Sequence, residues 1–249
     1  MRIAPSFLAL LLTFTVSWPN AEATIIVDSA MPIDREVVVQ LIQAREDNGT
    51  GAATVLGNAA QRLSIEMALD QIWAQAGINV TLLATVTTYN SSFALDANNS
   101  GGTRPTNDLN TIFVQASTAG VLNTGNVINT IFVDHVPGFA VLSENSAAGL
   151  ASLPGNRINM FTGDNLLGFQ NGLDVIASVF AHEIGHNLGL NHTGNGTANL
   201  MSPGGTSEQL SAGQIIIARS SGLLRVVPEP GTAILVALGI GLFAVRGRR

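Results

Sequence analysis

The chain contains no cysteine, so no disulfide can brace it, although that absence alone does not fix a compartment. It also contains no lysine: all 11 basic residues are arginine, and charged residues make up only 11% of the sequence. Aromatic residues are sparse at 5%, with a single tyrosine, Tyr89. The positive charge that nucleic acid or an anionic membrane surface would need is missing. Once the two end segments described below are set aside, 7 arginines face 15 acidic residues, a net charge near −8. No Ser/His/Asp or phosphate-loop constellation is present, and no internal repeat. What the chain does have is apolar residue, 46% of 249 positions, enough for the core of one ordinary domain plus sorting segments.

Three of the four histidines fall in one stretch, Ala181-His182-Glu183-Ile184-Gly185-His186-Asn187-Leu188-Gly189-Leu190-Asn191-His192. The pattern is H-E-x-x-H-x-x-G-x-x-H. On a helix, His182 and His186 stand one turn apart on one face and can chelate one ion. Glu183 follows the first ligand and reaches the open coordination side. A continuing helix would carry His192 away, and Gly189 supplies the left-handed turn that brings it back. Three histidines leave a fourth position for water, the mark of a catalytic zinc site rather than a closed structural one. Zinc lowers the pKa of such a water from about 15.7 toward about 7, and Glu183 is placed to take its proton.

With Asn199-Leu200-Met201-Ser202-Pro203 nine residues further on, the chain resembles the metzincin clan of zinc peptidases. That resemblance implies a twisted mixed α/β (α+β) sheet with an active-site helix, a methionine turn and a C-terminal helix. It implies that Met201 packs under the three imidazoles without binding the metal, as an adaptable thioether floor. Astacins and serralysins carry a tyrosine ligand two residues after this methionine. Pro203 stands there instead, so a tyrosine ligand is not expected. Thr193 matches none of the residues that label the best-known subfamilies, and the cysteine-based latency of matrixins is impossible here. In metzincins the strand at this distance before the zinc helix runs along the sheet edge and pairs with extended substrate. Carried over, that edge is Gly149, Leu150, Ala151, Ser152 and Leu153.

Residues 1–23 read as a secretory signal peptide: Arg2, an apolar run Phe7–Val16, and Ala21-Glu22-Ala23 as cleavage site. The peptidase domain is then 24–226. Thr24–Asp28 reads as a short strand. Arg35–Arg45, with Val37-Val38-Val39 and Leu41-Ile42, favours a strand. Helical spacing runs from about Ala53 to Ala76 and closes at Gly77. Ile78–Thr87 alternates as a second strand, giving strand–helix–strand. Ser91–Thr106 is a polar loop. Asp108–Leu122 reads as a helix in preference to a strand through Ile112-Phe113-Val114, and Val127–Val136 as a buried strand. Gly149–Leu153 and Asn156–Phe161 are short extended pieces. Asp174–Leu188 is the zinc helix, and Ser207–Leu224 a closing helix.

The tail, 227–249, opens with Val227-Pro228-Glu229-Pro230-Gly231, continues as the apolar run Thr232–Val245, and ends on Arg246, Arg248 and Arg249. It is similar to the PEP-CTERM sorting signals of bacteria with two membranes. That implies recognition and removal by an exosortase, and export to the periplasm, cell surface or exterior. The run's 14 residues make a helix of about 21 Å against a hydrocarbon core of about 30 Å, so membrane contact is expected to be transient. A plain tail anchor is the alternative.

His135, beside Asp134, reads as a strand-end residue in preference to a ligand of a second metal. Asp164 and Asp174 flank the loop before the zinc helix, and Asp174 is placed to cap it. The expected function is that of an exported zinc endopeptidase acting on protein or peptide. The alternative is a cell-surface or matrix binding protein that keeps a zinc site without turnover.

Overall fold

The structure, a computed structural model, describes residues 25, 27–95, 105–134, 149–160, 172–203 and 207–227. Among them β1 (Arg35–Arg45) is the centre of the sheet, and seven of its eleven residues are either fully buried or nearly so. It pairs in parallel with β2 (Ile78–Asn90) on one side and β3 (Val127–Phe132) on the other. β5 (Arg157–Met160) continues the parallel set beside β3, and β4 (Gly149–Ala151) adds to β5 in antiparallel fashion, for an order β2-β1-β3-β5-β4. A two-residue β6 (Arg225–Val226) pairs with the start of β1. The largely apolar character of β1 and β3, interrupted by the buried Gln40, Asn129 and Thr130, follows from this parallel pairing, which requires both faces to be covered.

The covers come from helices. α1 (Ala59–Ala74) links β1 to β2 and starts at a capping box, Asn58 receiving the amides of Ala60 and Gln61 while Gln61 receives that of Asn58. Its inward face is Ile65, Ala68, Leu69, Ile72 and Trp73. It packs on α4 (Leu173–Asn187), whose Phe180 meets Phe132 edge-on with ring centroids 6.3 Å apart. On the other face Arg157 lies over Phe113 of α3 (Pro105–Thr118). A short α2 (Ser92–Leu95) and α5 (Ala212–Arg219) complete the elements.

The polar side of α1 does something further. Glu66 accepts the amide of Leu82 and Asp70 that of Val80, while Arg62 donates to the carbonyls of Leu82, Leu83 and Ala84. Residues spaced four apart on one helix thus occupy backbone groups of edge strand β2 between Val80 and Ala84.

The mixed α/β architecture expected from the sequence is observed, and most boundaries shift for identifiable reasons. Ile25, Val27 and Asp28 form no strand. The first helix begins at Ala59 because Asn58 caps it. β3 ends at Phe132, short of Val136. The edge piece stops at Ala151: Ser152 gives its carbonyl to Asn187, and Pro154 has no amide to extend a ladder. Ser152 and Leu153 therefore belong to the turn, not the strand. The closing helix spans only Ala212–Arg219, because the amide of Leu210 is bound by Gln75 and the carbonyl of Gln209 by Leu200. Ser211 and Gln214 form its capping box. Asp174 is not the cap of α4: Gly172 holds that position with φ 99°, and Asp174 lies in the first turn, where a carboxylate complements the helix dipole. His135 and Asp164, the leader 1–23 and nearly all of the tail lie outside the described residues. Among the described residues no helix is long and apolar enough to cross a membrane.

Candidate metal centre and proton-transfer site

Helix α4 carries His182, Glu183 and His186, and it ends in a tight turn. The amide of Gly189 returns to the carbonyl of His186, and that of Leu190 to the carbonyl of Gly185, with Gly189 at φ 98°. This paired pattern is the Schellman closure that a left-handed residue permits. It delivers His192 to the other two rings. Nε2 of His192 lies 3.0 Å from Nε2 of His186 and 3.2 Å from Nε2 of His182.

Those contacts can be tested against a metal. Nδ1 of His182 is 2.7 Å from the carbonyl oxygen of Leu200, and Nδ1 of His186 is 2.8 Å from that of Leu190. A carbonyl only accepts, so in both rings Nδ1 carries the proton and Nε2 presents a lone pair. A neutral His192 has at most one proton to offer at Nε2, so at least one of the two close contacts sets lone pair against lone pair. A cation among the three resolves this. Tetrahedral zinc with bonds of about 2.0–2.1 Å would separate its donors by about 3.3 Å, close to what is seen. The donor set is therefore one that zinc fits. Burial supports it: desolvation pushes His182 down to about 4 and lowers His186 from its ordinary value, which favours the neutral form a metal requires.

Met201 lies under this arrangement. A Cβ built at Gly185 would stand 2.5 Å from its Sδ, and Met201 is wholly buried. The thioether thus abuts α4 one helical position before His186. The turn that carries it is tied on both sides. The carbonyl of Met201 accepts the amide of Thr193, next to His192, and the carbonyl of Leu200 orients His182. Asn199 accepts the amide of Met201 and exchanges two hydrogen bonds with Gln214 of α5, at 2.8 and 3.0 Å.

Glu183 is buried, and burial alone pushes its carboxyl up to about 8; its Oε2 has no hydrogen-bond partner. The side chain lies against Gly149, the first residue of β4. Asn187, one turn along the same helix, donates to the carbonyls of Ser152 and Arg157 at 2.9 and 3.2 Å and so clamps the β4–β5 turn to the zinc helix. Among the described residues no strand pairs with the far side of β4. Tyr89, the lone tyrosine, is a core residue of β2.

The sequence located every ring and the carboxylate. It did not reveal the supporting set, Leu190, Leu200, Asn199, Gln214 and Asn187. Two of these act through backbone carbonyls, which carry no residue signature. A buried Asn within an apolar helix was the one visible hint.

Comparison with known proteins gives two family matches: residues 59–193 match the reprolysin-like metallopeptidases of family M12B, and residues 226–249 match the PEP-CTERM protein-sorting motif. No curated protein matches significantly. Among solved structures, an archaemetzincin from Methanopyrus kandleri is similar at 16% identity and TM-score 0.41, covering 75% of this chain and 88% of its own. A second archaemetzincin, from Archaeoglobus fulgidus, has 15% identity and TM-score 0.41 over 73% and 99%. A zinc-dependent peptidase from Methanocorpusculum labreanum has 11% identity and TM-score 0.44 over 72% and 99%.

Proposed function

The chain belongs to the reprolysin-like M12B metallopeptidases, and from that premise we propose a zinc endopeptidase in which Glu183 is the general base and His182, His186 and His192 are the ligands. That it is a zinc metallopeptidase follows from the family and the histidine triad. The roles of individual residues rest on the geometry, above all on a buried carboxylate with an unpartnered oxygen one residue after a ligand. Zinc, when bound, supplies a Lewis acid that polarises a peptide carbonyl and makes water acidic near neutrality. Glu183 takes the proton of the attacking water as its oxygen joins the carbonyl carbon. It then gives that proton to the departing amine as the C–N bond breaks. Leu190 and Leu200 fix the rings, and Met201 supports them from below.

β4 is the reading's substrate rail. Its outward groups would pair with an extended peptide, while β2, the other end of the sheet, has its backbone occupied by α1. Gly149, Leu150 and Ala151 form the strand, with Ser152 and Leu153 contributing from the turn. The catalytic unit is 24–226, preceded by a leader 1–23 and followed by a sorting tail 227–249. The sorting motif implies export to the cell envelope or surface and processing by an exosortase. No observation favours the alternative of a binding protein without turnover.

The experiment is Glu183→Gln. It should keep zinc, measured by metal analysis after gel filtration, and lose chelator-sensitive cleavage of a peptide library. Full activity in that variant would end the general-base reading.

A further inference from the structure

The general-base reading of Glu183 leaves open what aims its carboxylate. We propose that Gly149 is a positioning residue for it, a flat wall whose missing side chain is the space the carboxylate occupies. A Cβ built at Gly149 would lie 2.5 Å from Cγ of Glu183, 2.7 Å from Oε1 and 2.8 Å from Cδ. All three nearest atoms belong to that one side chain, so the closest approach is to Glu183.

Backbone conformation does not explain the glycine. Gly149 is not among the positive-φ glycines, and it sits in regular antiparallel pairing with Met160. Glycine within a strand weakens it and marks a close approach. Here the approach is set from both sides. Glu183 and Asn187 are one turn apart on α4, so they face the same way. Asn187 grips the carbonyl of Ser152 while Glu183 meets Gly149, three residues earlier on the same hairpin. Helix and edge strand are thereby held at one spacing, and the carboxylate is confined in the gap. A reacting group displaced by about 1 Å loses on the order of a hundredfold in rate. A methyl at position 149 would force a displacement of that size without touching a ligand.

The test is G149A, measured alone and in the E183Q background. Zinc affinity by chelator competition should be unchanged. The kcat for peptide cleavage should fall on the order of a hundredfold with KM unchanged. In E183Q, adding G149A should leave the affinity for an uncleaved peptide as it was, because the wall acts only through the base. If G149A itself unfolds the chain, G149A/E183A, which removes Cγ together with the carboxylate, should regain the thermal midpoint. The inference is overturned if G149A cleaves like wild type, if zinc affinity falls with activity, if G149A/E183Q binds peptide more weakly than E183Q, or if G149A unfolds and truncation of Glu183 to alanine restores nothing. An active E183Q variant sinks the base reading itself, separately from these.

Discussion

The carbonyl oxygen of Leu200 lies 2.7 Å from Nδ1 of His182, although 18 residues separate them. The methionine turn therefore reaches the first histidine: the carbonyl of Leu200 sets the tautomer of His182. Asn199 and Gln214 hold that turn through a reciprocal amide pair, which joins the ring to the cap of α5. Partners of this kind typically contribute 10–100-fold in metal affinity. N199A should weaken zinc binding by about that factor while the circular dichroism of the apo chain stays near wild type. Chelator competition measures it, and unchanged affinity would show the brace to be idle.

Gly185 offers a test with an inverted sign. Alanine in a helix interior is ordinarily favoured over glycine by about 0.5–1 kcal/mol. The methyl of G185A would meet Sδ of Met201 at 2.5 Å in a fully buried space. Overpacking of this kind costs about 1–3 kcal/mol, so the variant should be less stable in urea unfolding. G185A/M201A should lose less than the sum of its single variants, because each relieves the other. Strict additivity would mean the two residues do not press on each other.

Arg219, at the end of α5, hydrogen-bonds to Asp34 at 2.8 Å, and this bond is the main reason the Asp34 carboxyl is held below its ordinary value of 3.8. The folded pKa is thus lower than the unfolded one. The stabilisation is complete above the unfolded value and drains away as pH falls through the folded one. D34N should accordingly be less stable than wild type at about pH 6, by about 1 kcal/mol or less for so exposed a pair. The difference should shrink below about pH 4. Urea midpoints across that range would show it, and a gap that stays constant down to acid pH would contradict the linkage.

How far the sequence carried depends on range. His182, His186 and Glu183 were legible because a helical repeat fixes their relation locally, and Gly189 because a turn of that hand requires it. The strand–helix–strand opening was legible from Val37-Val38-Val39 and from a helical spacing through Leu56, Ala60, Leu63, Met67 and Ile72, but the inward face was not: the structure buries Ile65 and Leu69 and leaves Leu63 and Met67 exposed. Ends were not. Leu210 has the pattern of a helical residue, yet Gln75, 135 positions away, holds its amide. Ser152 has the pattern of a strand residue, yet Asn187 holds its carbonyl. In each case a distant side chain took a backbone group that local regularity would have used, and nothing in the neighbouring residues announces this.

Arg62, Glu66 and Asp70 keep the backbone of β2 engaged, which bears on the victims as much as on the scaffold. On the proposed reading, an incoming chain pairs with free amides and carbonyls beside the histidines. A segment already committed to helix or sheet has none to exchange there. Cutting would then fall on tails, linkers and unravelled chains and spare intact folds, making the enzyme a sensor of local disorder before it is a judge of side chains.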